Sequence, residues 1–320
     1  MRVIIRHCRT KYNRTRSRAI TTDTFRRSGY FFAVGSALAS GASTVIGKWN
    51  LMYVSPLLMN SLIFTVAGSL YAVYFTSFAR TRRQLKIDRR AWLWILLFSA
   101  TSWFAVLATW AGVQKMDPSL ASFINRLEVP VAVLLGVALL RERLNFYEVG
   151  GFLLSFGGIV VMRLTLRMEY SQGFWLVLVG AIMFGVTELV SKVAVRHVDP
   201  LVLAFIRNSL LAVAFWAVFL TLEGDFDGFG VAWPGVLALG LVGPIFSRTN
   251  YLLALKRLEL SKVAVISQAQ TVVVLVLAFA FLYQLPAPRE LVGGLFVVAG
   301  SLTVILARRH LRLNNHPRSA

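Results

Sequence analysis

The chain has 320 residues, 57% of them hydrophobic and 15% charged, with mean hydropathy +0.67 and a formal net charge of +20. Soluble domains carry about 45–50% apolar and about 25% charged residues, so a soluble globular fold is excluded. Nucleic-acid binding is excluded too, because Lys and Arg gather at the ends of apolar segments rather than along a recognition element.

Residues 1–28 hold nine basic residues and one acid, Asp23. They read as a basic, disordered cytoplasmic tail drawn to anionic membrane lipid, with a transit peptide or a mis-assigned start as alternatives. Crossing the hydrocarbon takes about 20 apolar residues in a helix. Ten stretches qualify: 29–47, 54–77, 91–113, 118–140, 146–164, 173–195, 200–221, 232–255, 261–283 and 288–307. Residues 308–320 form a second basic tail. Since lipid-exposed irregular backbone is costly, the expected fold is an all-α membrane protein of ten transmembrane helices.

Positive charge sets the orientation. With the N-terminus inside, cytoplasmic segments hold 25 of the 34 Lys and Arg, outer segments five, and Arg126, Lys192, Arg207 and Arg248 lie within spans. Both termini are therefore expected in the cytoplasm, with the protein in the plasma (inner) membrane.

The two halves repeat. Lys48 to Pro56 matches Lys192 to Pro200 at an offset of 144, and Gly150, Gly151 and Gly157 match Gly293, Gly294 and Gly300 at 143. Each half, 29–164 and 173–307, contains five helices, and an odd number forces the halves to insert with opposite orientation. Inverted repeats that enclose a site between them are a recurrent transporter plan.

Ser55-Pro56 and Asp199-Pro200 open the second and seventh helices, and Arg207 follows Pro200 by seven residues. The first half also contains Leu120 to Ile124, Val129-Pro130, Leu140 to Leu144, Gly150-Gly151 and Gly157. On these residues the chain resembles the drug/metabolite transporter superfamily, in its ten-helix branch with two EamA-type repeats. The resemblance covers about residues 30 to 307 and implies a secondary transporter of a small polar metabolite or drug working by alternating access. Ile63 stands where the first half would match Arg207, Val273 replaces Pro130, and Leu285 replaces Glu142. The second repeat therefore carries the weaker signature.

Ionisable groups inside a span cost about 2.5–3.5 kcal/mol each at mid-helix and call for a reason. Helix rise puts Glu188, Arg207 and Arg248 at similar depth, suggesting one polar pocket. Glu188 and Lys192 are spaced to pair along one helix face, and Lys192 and Arg207 read as structural charges. Gly243-Pro244 should loosen the eighth helix just before Arg248. Arg126 and Glu128 are expected on opposite sides of their helix, with Glu128 sharing a face with Asn125. Their counterparts in the ninth helix are taken as Ala269, Thr271 and Gln268, so Gln268, Gln270 and Thr271 face the same midplane. The expected substrate-binding set is Asn125, Arg126, Glu128, Glu188, Arg248, Gln268, Gln270 and Thr271. With basic groups in excess, an anionic or zwitterionic solute is favoured. Proton coupling through Glu128 or Glu188, facilitated diffusion and exchange all remain open.

Small residues along the fifth and tenth helices suit close packing first, and a homodimer second. The lone Cys8 and four histidines in tails or loops make no metal site, and no metal or cofactor is expected. Asp225 and Asp227 lack the further ligands of a calcium loop. No HExxH, GxxxxGK[ST] or GxSxG motif is present, so an enzyme is not expected. The rival readings are a membrane-embedded enzyme acting on a lipid-linked substrate and a non-transporting membrane subunit.

Overall fold

The computed structural model describes residues 27–77, 87–140, 145–165, 168–284 and 286–314. Most of the N-terminal tail, the 78–86 part of the first basic loop and the last six residues lie outside them. Among the described residues, ten helices are long and apolar enough to cross a membrane. They are α1 (Arg27–Asn50), α2 (Pro56–Ser77), α3 (Ala91–Gln114), α4 (Pro118–Ala138), α5 (Phe146–Leu164), α6 (Met168–His197), α7 (Pro200–Leu222), α8 (Phe229–Arg257), α9 (Lys262–Leu282) and α10 (Pro288–Ala307). The protein is thus an integral membrane protein. The helix of the last span continues to Asn314, into the basic C-terminal segment.

The helix starts are chemically specified. Asp117 and Asp199 each accept the N–H two residues on (Ser119, 2.7 Å; Leu201, 3.0 Å) with proline at the first helical position. Ser55 accepts the N–H three residues on, that of Leu58, at 3.1 Å. Burial pushes the Asp117 carboxyl up from its ordinary value, opposed by the Ser119 bonds and by Lys48. At α5 and α10 the buried Glu148 and Glu290 reach back to the N–H of Asn145 and Ala287, at 2.9 and 2.8 Å.

Packing reveals the repeat symmetry. α2 lies against α7, α3 against α6 and α5 against α10, while Ser247 of α8 donates to the Ser36 carbonyl of α1 at 3.1 Å. At the α5–α10 crossing, Gly151 abuts Gly300 and Gly158 abuts Gly293, so one chain index falls as the other rises and the helices are antiparallel. A Cβ at any of the four would come within 2.9 Å of facing backbone. These glycines are therefore spent inside the molecule, on the close approach of the two halves. The crossing relates Gly151 to Gly293 and Gly158 to Gly300, one residue shorter than the offset of 143 read from sequence.

Two lysines mark the same symmetry. The Lys48 amine donates to the carbonyls of Val113, Gln114 and Met116, at 2.9, 3.0 and 2.9 Å, at the end of α3. Lys192 donates to Leu255 and Leu258, at 3.1 and 3.3 Å, at the end of α8. Each satisfies carbonyls that a helix terminus leaves without intrahelical donors. The expected Glu188–Lys192 pairing is thereby corrected.

Candidate functional site

Three helices depart from regular α geometry near the middle of the bundle. α4 is interrupted after Asn125 and resumes at Glu128. α9 is interrupted after Ser267 and resumes at Ala269. α8 passes through a wide turn over Leu241–Ser247, where Pro244 cannot donate to the preceding turn. Such breaks are tolerated at membrane depth only where protein or a cavity receives the freed groups.

They surround a cavity of about 190 Å³. Of the expected set, Asn125, Arg126, Glu128, Glu188, Arg248 and Gln270 line it, and so does Arg207. Gln268 and Thr271 do not: they are buried behind it, 6% and 3% exposed. Lys192 also lies away from it, on the end of α8. The cavity wall further includes Tyr251, Trp110, and Ser36, Ser40 and Ser43 of α1, which the sequence reading passed over. The three serines had a legible signal, since spacings of four and three set a polar stripe on an apolar helix.

Charge is arranged in three groups. The first is a salt bridge of 3.0 Å between Arg248 and Glu188, whose second oxygen accepts from the Tyr251 hydroxyl. The second joins Arg126 to Glu128 at 3.3 Å. That contact corrects the expectation that the two face apart, which assumed a continuous helix; the break at Arg126 changes the angle between them. The third is Arg207, whose guanidinium donates to Ser102 and to Asn208, both at 3.0 Å, between the rings of Phe64 and Phe98 at 5.5 and 5.4 Å. Phe98 also meets the Arg248 guanidinium, at 5.3 Å.

Arg126 also crosses between the repeats. It donates to the Ser267 carbonyl and to Gln270 Oε1, both at 3.1 Å. The Ser267 carbonyl is available because the Thr271 N–H bonds Gln268 instead, at 3.1 Å. The first repeat does likewise, with the Val129 N–H turning to Arg126 at 3.4 Å. The breaks therefore pair Arg126 with Gln268, Asn125 with Ser267 and Glu128 with Gln270. These replace the one-residue-shifted counterparts Ala269, Gln268 and Thr271.

Three arginines against two glutamates leave the wall net positive. Among the described residues, Nε and Nη2 of Arg248 have no protein hydrogen-bond acceptor. The net positive wall suits a carboxylate, while Glu128, 18% exposed in its side chain, can face a cationic group.

Comparisons with known proteins agree with this architecture. A sequence profile described as the EamA-like transporter family matches residues 27–164 and 171–306. A protein of Streptantibioticus cattleyicolor named as a probable terminal-alkyne amino-acid exporter is 28% identical over 221 residues, 66% of this chain and 72% of the relative. An uncharacterized transporter of Archaeoglobus fulgidus is 23% identical over 267 residues, covering 82% of this chain and 92% of its own. One crystal structure, 21% identical, superposes with a TM-score of 0.60 over 89% of this chain and 99% of its own, a likeness of fold alone.

Proposed function

Since the chain belongs to the EamA-like transporter family, we propose that it carries a small carboxylate-bearing solute, anionic or zwitterionic, through the cavity between its two repeats by alternating access. The observation that carries this reading is the net positive wall, with Arg248 donors turned to no protein partner. Pockets that bury drug-sized ligands measure about 300–1,000 Å³, so a cavity of about 190 Å³ favours a metabolite over a bulky drug. An amino acid suits the pairing of arginine donors with Glu128, and the name of the Streptantibioticus cattleyicolor relative supports that class.

Coupling is assigned to Glu128. Both oxygens of Glu188 are held, by Arg248 and Tyr251, whereas Glu128 keeps one arginine contact and opens to the cavity. A proton taken up there would release Arg126 and change what the site can hold. The charge asymmetry of the loops supports a reading with both termini in the cytoplasm, in the plasma (inner) membrane.

The test is uptake into proteoliposomes of labelled amino acids, dicarboxylates and neutral sugars by purified protein. Uptake of a carboxylate-bearing class and not of sugars is expected, and Arg248→Ala lowers it about tenfold or more, since hydrogen bonds to charged groups contribute about 1.5–3 kcal/mol each. Glu128→Gln removes its dependence on a proton gradient. Sugar uptake unaffected by either variant contradicts the reading.

A further inference from the structure

The two interrupted helices carry a pair of matched but unlike side chains, and only one of them is engaged. Arg126 at the α4 break donates across the repeat axis to Ser267 and Gln270 of α9. Its counterpart at the α9 break, Gln268, is 6% exposed. Neither its amide oxygen nor its amide nitrogen meets a hydrogen-bond partner among the described residues. An amide left so costs free energy in apolar surroundings and needs an explanation.

The repeat symmetry defines mirror-image acceptors for Gln268. Where Arg126 takes the Ser267 carbonyl, Gln268 has that of Asn125; where Arg126 takes Gln270, Gln268 has the carboxylate of Glu128. The framework around both breaks is symmetric. Gly185 of α6 lets that helix pass over Val131 and the Glu128 carbonyl, and Gly41 of α1 passes likewise over Val273 and the Gln270 carbonyl. Inverted-repeat carriers reverse their open side by exchanging the conformations of their halves.

We infer that Gln268 is a positioning residue for transport, which donates to the Asn125 carbonyl and to Glu128 in the opposite-facing state, when Arg126 lets go of α9. The structure then shows one end of a trade across the axis. In it Arg126 holds the second repeat and Gln268 waits; in the other, Gln268 holds the first. Because a guanidinium binds more strongly than an amide, the unlike pair also biases the carrier toward the state seen here. This rests on the alternating-access reading.

The experiment measures spin-label distances in full-length protein in nanodiscs, with Cys8→Ser and reporter pairs at the two ends of the bundle. Tyr53→Cys with Phe226→Cys reports on one end, and Ile87→Cys with Lys256→Cys on the other. Arg126→Gln makes the two breaks alike and is expected to raise the ratio of the opposite-facing to the observed state about tenfold, as loss of a charge-assisted pair of bonds implies. The exchange variant, Arg126→Gln with Gln268→Arg, should reverse the preference, and Gln268→Leu should deplete the opposite-facing state. Distance distributions that stay at wild type in Arg126→Gln and in the exchange variant overturn the inference. Since no solute is added, that outcome leaves carriage itself untouched, whereas a failure of uptake in wild type does not.

Discussion

Arg207 and Arg248 share the ring of Phe98, and the difference in their remaining partners separates their work. Arg207 is 4% exposed and fixed by Ser102, Asn208 and Phe64. A lysine there keeps the charge but has neither the planar fork nor the stacking face. Arg207→Lys is expected to destabilise the protein by about 1–3 kcal/mol, read as a lower melting temperature in detergent. Unchanged melting with altered solute preference would instead make Arg207 a solute contact. Arg248 lines the cavity with a side chain 17% exposed, so its replacement should act on uptake before stability.

At the scale of helices, the lysine caps make the sharpest claim. Lys48→Met removes one amine that serves two α3 carbonyls and that of Met116 just beyond. The expected cost is about 1–3 kcal/mol, from buried acceptors left without donors, and Lys192→Met should behave alike at α8. A melting temperature unchanged in both variants contradicts the capping role. Sequence identified both lysines as repeat markers but gave Lys192 the wrong partner. Spacing of four residues sees only a residue's own helix, and the carbonyls that Lys192 meets lie 63 and 66 positions away. The spans, the Asp-Pro starts and the loosened α8 were legible, because apolar length and proline act locally. The break at Arg126 had a signal left unused, since Pro130 has no N–H for the Arg126 carbonyl four residues earlier, whereas no proline follows Gln268 at that spacing. Tertiary contacts satisfy the backbone that the breaks expose, Arg126 donating to the Ser267 carbonyl and Ser301 to the Arg126 carbonyl, both at 3.1 Å. The break in α4 also explains why Arg126 and Glu128 meet, and the breaks together set the one-residue correction of the counterparts in α9.

For the whole molecule, ten spans in two antiparallel halves place every charged side chain of the cavity on a helix near a break or a crossing. The glycines at the α5–α10 crossing hold the halves together, and the broken α4 and α9 give them a polar contact that can be exchanged. Such an assembly is a carrier only if its centre meets each side of the membrane in turn. Ser40, on α1 in the cavity wall, reports this directly. In reconstituted Cys8→Ser, Ser40→Cys protein, a membrane-impermeant thiol reagent applied from one side and then, separately, from the other should modify the cysteine both times. The transported solute should slow both reactions. Modification from one side alone, whatever the solute, would contradict alternating access and reduce the cavity to a one-sided pocket.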